Sequence, residues 1–247
     1  DAALAELGEI ISVDPALSAK MLRVANSGLF TCNREITDLK RAMSVLGTNT
    51  IKCIALSFVI SADLTTQKNN GFCFDDFWRR AVTAAVSAEY LAKKLTVFNS
   101  EIFLTALLQD IGILVTLLSR GEEYVQLLDS VSDRPETLEK VENEKYSYNH
   151  QHVAAFLFEQ WNLPQSLSIP IQYHHNPEEA PEEFRDTAKI LYLADQLAEI
   201  CTGVTIAEKA RLFQNSLVEE FGFKESVAAD LLDEVAIQSR EIITLFD

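Results

Sequence analysis

The chain has 247 residues, 48% of them hydrophobic, with 37 acidic against 21 basic side chains and a formal net charge of −16. That length and a mean hydropathy of +0.04 provide for one large or two small packed domains, at about 150 residues each. The acidic balance excludes non-specific nucleic-acid binding, which needs Lys and Arg to neutralise phosphates, and disfavours anionic membranes as partners.

The apolar spacing is helical nearly throughout, so sheet content is expected to be very low. Asp14 and Pro15 open a first helix, the aspartate capping free amides and the proline occupying the first turn. Thr37 is placed to cap a segment through Leu46, and Gly47 to end it. Ile51 to Leu64 repeats apolar residues at helical spacing, and the polar run Gln67 to Gly71 reads as a linker between two helical halves, the natural place for relative motion.

Asp75 or Asp76 starts the next helix, running to about Leu95, and Ser100 starts one that carries Gln109 and Asp110. The apolar stretch Ile102 to Leu118 falls short of the ~20 uninterrupted residues of a membrane span, because Gln109 and Asp110 interrupt it. It reads as a core helix. Pro135 begins a short charged helix to about Glu144, Asn149 opens the helix of Val153, Phe156 and Leu157, and Pro164 begins another toward His174. Thr205 and Glu208 have capping-box spacing, and an amphipathic segment from about Lys224 to Leu245 ends the chain. The chain opens on Asp1 with no signal-peptide pattern, which leaves room for a preceding segment removed from it.

Several conspicuous residues have plain structural readings. Cys32, Cys53, Cys73 and Cys201 lack metal spacing and a paired base, and are read as small hydrophobes in a reducing, cytoplasmic compartment. Phe72, Phe74, Phe77 and Trp78 form an aromatic seam between the two halves, and Trp161 packs a helix end into the core. Asn26 and Ser27, before Gly28, have the chemistry of a helix terminus.

The informative text is Leu107-Leu108-Gln109-Asp110-Ile111-Gly112. An amide precedes a carboxylate where a metal enzyme would want His followed by Asp, and a neutral amide is a poor ligand for a transition metal. A buried Asp110 requires a hydrogen-bond or charge partner. Of the histidines, His150 and His152 are about 200° apart on a helix, and His174 and His175 about 100°. Only one of each pair is then expected to face a site.

Read together, Phe77-Trp78-Arg79-Arg80, Leu107 to Gly112, His150 to Ala154, Trp161-Asn162-Leu163-Pro164, His174-His175-Asn176-Pro177 and Leu193-Ala194-Asp195 resemble the HDOD family, the HD-related output domains of bacterial signalling proteins. Asp14 to Leu17, Leu22 to Ser27, Ile36 to Ala42 and Leu46-Gly47 resemble its amino-terminal portion, so the likeness covers about four-fifths of the chain. It implies an all-α fold: a multi-helix HD-like bundle at 72–247 with an amino-terminal helical subdomain at 1–71, together one HDOD domain.

Carried over position by position, the HD metal pattern meets Arg80 where its first histidine would stand and Gln109 in place of the histidine of the doublet. Asp110, His150, His174 and Asp195 match the later positions, which selects His150 and His174 and leaves His152 and His175 as surface or supporting groups. The resemblance thus implies a vestigial site of Arg80, Gln109, Asp110, His150, His174 and Asp195, with no catalytic residue, metal or cofactor. Arg80 has two readings: a guanidinium paired with Asp110 or Asp195 in place of a metal, or a solvated helix face beside Arg79.

The function implied is a non-catalytic signal-transduction scaffold in the bacterial cytoplasm. Its expected partners are signalling proteins such as a response regulator, kinase or cyclic-dinucleotide enzyme, with no nucleic acid and no membrane; oligomeric state is not legible. The competing reading is an HD-type phosphohydrolase or cyclic-nucleotide phosphodiesterase whose reduced metal site holds one ion on Asp110, His150, His174 and Asp195.

Overall fold

The computed structural model describes residues 22, 25, 36–47, 51, 71–97, 99, 101–131, 137–202, 207–219 and 221–243. Among them the regular structure is helical, with no strand: α1 Leu39–Leu46, α2 Phe74–Leu95, α3 Ile102–Leu107, α4 Ile111–Arg120, α5 Glu122–Val131, α6 Leu138–Tyr146, α7 His150–Gln160, α8 Gln165–Gln172, a 3-10 turn Pro177–Glu179, α9 Glu182–Thr202, α10 Ala207–Glu219 and α11 Glu225–Ile243. The fold is all-α, as the apolar spacing and the family resemblance lead one to expect.

The centre of the bundle is α2. Asp75 and Asp76 in its first turn and Lys93 and Lys94 in its last complement the helix dipole. Every residue from Ala81 to Ala88 is buried, because α9, α3 and α11 all pack on this helix. Small side chains permit that close approach, and the two hydroxyls bond within the helix: Thr83 Oγ1 donates to the Arg79 carbonyl at 2.8 Å and Ser87 Oγ to that of Thr83 at 2.7 Å. Ala42, Met43 and Leu46 of α1 join the same apolar core as Leu91, Leu104, Leu191 and Leu197.

Two expected boundaries shift. Asp38, not Thr37, caps α1, its Oδ1 accepting the Arg41 N–H at 2.8 Å, while Gly47 ends the helix as expected at φ 79°. The stretch 102–120 is not one helix. It breaks at 108–110, where Gln109 N–H reaches the Ala106 carbonyl at 3.4 Å and Ile111 N–H that of Leu108 at 3.0 Å, three-residue bonds that tighten the turn. Ile102–Arg120 is long and apolar enough to cross a membrane, yet 78% of its most apolar window is buried inside the fold, as a core segment requires.

The remaining assignments stay close to expectation. Helix α6 starts at Leu138, α8 follows Pro164, and α11 starts at Glu225. Phe72 meets Phe74 edge to face at 4.9 Å, Phe77 meets Trp78 at 5.3 Å, and all four rings are partly buried against the core. Trp161 caps α7 beside Phe158. Cys73 is exposed rather than packed, and Cys201 is half-buried. The assignments at Asp14, Pro15, Asn26, Ser27, Cys32, Cys53, Gln67 to Asn70, Pro135 and Thr205 lie outside the described residues, as does the Ile51 to Leu64 segment apart from Ile51.

Candidate functional site

Two helix starts and one helix end bring the histidines and Asp110 together. Asp110 is the N-cap residue of α4, yet its side chain makes no capping bond. Its Oδ1 instead faces His174 Nε2 at 3.6 Å and His150 Nε2 at 3.7 Å. Gly112, in the first turn of α4, permits this meeting: a Cβ there would lie 1.9 Å from the His150 carbonyl oxygen, so only glycine lets α4 approach the start of α7 so closely.

His150 is the first residue of α7. Asn149 caps that helix, accepting the His152 N–H at 3.1 Å, while His152 Nδ1 accepts the Asn149 N–H at 3.3 Å. The exposed His152 therefore takes the place of the glutamate in a capping box, in keeping with a supporting role. The His150 N–H has no partner within its own helix at this position. It donates to Glu142 Oε2 at 3.0 Å, and the ring Nδ1 meets the same oxygen at 2.7 Å. Tyr124 OH donates to the other oxygen, Oε1. Glu142 is buried with three donors converging on it, an arrangement suited to a carboxylate. The sequence reading missed Glu142 and Tyr124; one glutamate of three in the charged segment 138–146 carries no local signal of being turned inward.

His174 lies just past the end of α8, and its Nδ1 contacts the Ile171 carbonyl at 2.7 Å. A carbonyl only accepts, so Nδ1 carries a proton, and Nε2 is left facing Asp110. That Nε2 is buried with no hydrogen-bond partner. His175 corrects the expectation that one histidine of the pair would turn away. Residues 173–175 form a turn rather than a helix, so the 100° rotation does not apply, and His175 Nε2 reaches His150 Nε2 at 3.2 Å.

Burial opposes charge on Asp110, but His174 and Arg80 beside it hold its carboxyl well below the usual carboxylate range. Burial also opposes charge on His150, but the bond to Glu142 and that group's charge raise the imidazole above its ordinary value. His175 is pushed well down by burial and by its two histidine neighbours. Burial and the Glu142 charge push the Tyr124 hydroxyl far up, so it remains a donor.

The other half of the site is an ion pair. Arg80 on α2 donates from Nη2 to Asp195 Oδ1 on α9 at 2.8 Å, and Gln109 Nε2 reaches the same oxygen at 3.4 Å. The Asp195 charge, with Asp110 nearby, raises the guanidinium above its ordinary value against the cost of burial. Arg80 Nε and Gln109 Oε1 are buried without partners. Of Arg80's two readings the structure takes the ion pair, while Arg79 keeps the exposed face with Asp76 at 3.0 Å.

All six sequence-predicted residues thus meet, but as two groups: Arg80, Gln109 and Asp195 in one, and Asp110, His150 and His174, joined by His175, in the other. The donor atoms of the second group lie within 4.8 Å of one another, a set of metal-ligating type. The HD pattern implies a metal, and its fit here is partial. Arg80 and Gln109 bring donors of hydrogen bonds where ligands would stand, so the first group does not fit a cation. The second does, since the orphaned His174 Nε2 points among three other ligating atoms.

The HDOD domain profile matches residues 1–177. The chain belongs to the HDOD family. Solved structures share its fold: a candidate phosphohydrolase from Shewanella amazonensis SB2B at 24% identity and TM-score 0.72, covering 100% of this chain and 94% of that one, and an HDOD domain protein from Geobacter sulfurreducens at 21% and 0.72, covering 97% and 85%. A third is the MmoQ response regulator from Methylococcus capsulatus str. Bath, at 24% and 0.58, covering 93% and 89%. Among curated proteins, one from Treponema pallidum (strain Nichols) is 24% identical over 214 residues, or 85% of this HDOD chain. The chain spans only 40% of that relative's length.

Proposed function

We propose that this HDOD chain is a non-catalytic regulatory module of bacterial signalling, which recognises partner proteins and does not turn over a substrate. The observation that carries the reading is the Arg80–Asp195 pair at 2.8 Å, with the Gln109 amide on the same oxygen. A permanent cation and a neutral amide occupy the positions where the HD pattern has two histidine ligands, and Asp195 is engaged by both. A two-ion centre that clamps attacking and leaving oxygens has no ligands left on that side.

The fold remains complete without such ions, because a continuous apolar core from Ala25 to Val235 supplies it. A helical body of this kind acts by presenting a surface to another protein. The name of the MmoQ neighbour supports a response-regulator pathway as the setting, and a net charge of −16 directs recognition away from polyanions. Cytoplasmic placement is part of the same proposal.

A second reading is favoured by the Asp110, His150, His174 and His175 group: a phosphohydrolase, the activity in the name of the Shewanella neighbour, here working with one ion. The deciding experiment incubates the chain with Mn²⁺, Fe²⁺ or Zn²⁺ and with phosphomonoester, phosphodiester and cyclic-dinucleotide substrates. The regulatory reading expects no turnover above buffer. Hydrolysis that disappears in Asp110→Ala would overturn it.

A further inference from the structure

We propose that Glu142 is the positioning residue that readies His150 for one divalent cation of the zinc and cobalt class, the ion that the HD pattern implies and that Asp110, His150, His174 and His175 would hold as its seat. The seat rests on the regulatory reading only in taking Asp195 to be held by Arg80, and it departs from the expectation of no metal.

Geometry sets the size of the ion. Four tetrahedral bonds of about 2.0–2.2 Å place neighbouring donor atoms roughly 3.4 Å apart. The separations here are 3.2 Å between the Nε2 atoms of His150 and His175, 3.6 Å from His174 Nε2 to Asp110 Oδ1, and 3.7 Å from His150 Nε2 to the same oxygen. The whole set lies within 4.8 Å. Small adjustments close it around a single ion, and a second ion has no ligands because Asp195 Oδ1 already accepts from Arg80 and Gln109.

Chemistry sets the class of the ion. Three imidazole nitrogens and one carboxylate oxygen suit zinc, cobalt, nickel or iron, whereas Mg²⁺ demands octahedral oxygen ligands and keeps several waters. The outer contacts are built for the role. His174 Nδ1 donates to the Ile171 carbonyl at 2.7 Å, turning Nε2 inward with no other partner. His150 Nδ1 bonds Glu142 at 2.7 Å, directing the His150 Nε2 to the same centre, and Tyr124 steadies Glu142 from behind. A carboxylate behind a ligating histidine fixes its tautomer and raises its basicity.

The test uses the full chain, stripped with a chelator, titrated with Co²⁺ by visible absorption and then with Zn²⁺ in competition. One ion per chain, the intense visible bands of tetrahedral cobalt, and no displacement by excess Mg²⁺ are the expected results. Glu142→Gln should weaken Co²⁺ binding roughly 10–100-fold at unchanged stoichiometry, with wild-type circular dichroism. Tyr124→Phe, which leaves every ligand in place, should weaken it in the same direction by less, and decides the matter if Glu142→Gln does not fold. His175→Ala should lose the tetrahedral bands. Wild-type chain without saturable Co²⁺ binding, a folded Glu142→Gln variant of unchanged affinity, or unaltered bands in His175→Ala would each overturn the seat. Loss of the seat leaves the regulatory reading standing; a loaded chain that hydrolyses phosphodiesters leaves the seat and removes that reading.

Discussion

Arg80 and Asp195 stand 115 positions apart in the chain and meet through a 2.8 Å bond between Nη2 and Oδ1, joining α2 to α9 across the middle of the bundle. Among the described residues these are also the two helices that pack most extensively on each other, so the pair ties that contact to the site. Asp195 is buried, with 10% of its side chain accessible, whereas 42% of the Arg80 side chain is accessible.

Arg80→Ala therefore leaves a buried carboxylate with only the Gln109 amide for company. Removing one member of a fully buried pair costs about 3–5 kcal/mol. With 42% of the Arg80 side chain accessible, solvent screening lowers that to the ~1–3 kcal/mol of a buried acceptor left without its donor. Urea unfolding should show the loss, and Arg80→Ala with Asp195→Asn should recover part of it. A double variant no more stable than Arg80→Ala would contradict the pairing energy assigned here.

Gly112→Ala tests the contact between α4 and α7. In an unobstructed helix interior the change stabilises by about 1 kcal/mol. Here the new Cβ would fall 1.9 Å from the His150 carbonyl oxygen, and backbone cannot yield cheaply. The expected sign is reversed, with a loss at the upper end of the ~1–3 kcal/mol that overpacking costs. Thermal unfolding decides it; a variant more stable than wild type would refute the close approach.

Tyr124→Phe removes one hydroxyl and keeps the ring. Glu142 Oε1 then loses its donor in a buried setting, a change worth about 1–3 kcal/mol for an unsatisfied group. Denaturant midpoints for the two proteins give the comparison, and equal midpoints would show that water already satisfies Glu142.

Thiol chemistry should separate Cys73 from Cys201. Cys73 is exposed at the start of α2, while burial raises the pKa of the half-buried Cys201. A raised thiol pKa means less thiolate at any given pH below it, and the thiolate is the nucleophile. Iodoacetamide followed by peptide mass mapping should find Cys73 modified first, with Cys201 gaining on it as pH rises. Equal rates at neutral pH would count against the burial assigned to Cys201.

What the chain reveals without coordinates is the fold class, the family and six of the residues that meet in the candidate site. Helical apolar spacing, caps such as Asn149 and Gly47, and ordered local motifs are all read from residues a few positions apart, because helix formation and capping are short-range. The same local logic places Asp110 inside a helix and turns His175 outward, and the structure corrects both. The break at 108–110 shows in the three-residue bonds of the folded chain, and the orientation of His175 in the turn beyond α8. Neither is dictated by near neighbours.

Tertiary structure alone decided which charges meet. Nothing near Arg80 in sequence distinguishes it from Arg79, yet Asp195 arriving on α9 pairs one with the interior and leaves the other with Asp76. Glu142 is similarly one glutamate among several until the start of α7 offers it a free N–H and an imidazole. Buried polar groups are partnered by whatever folding brings within about 3 Å, a distance across the bundle that carries no trace in the local text.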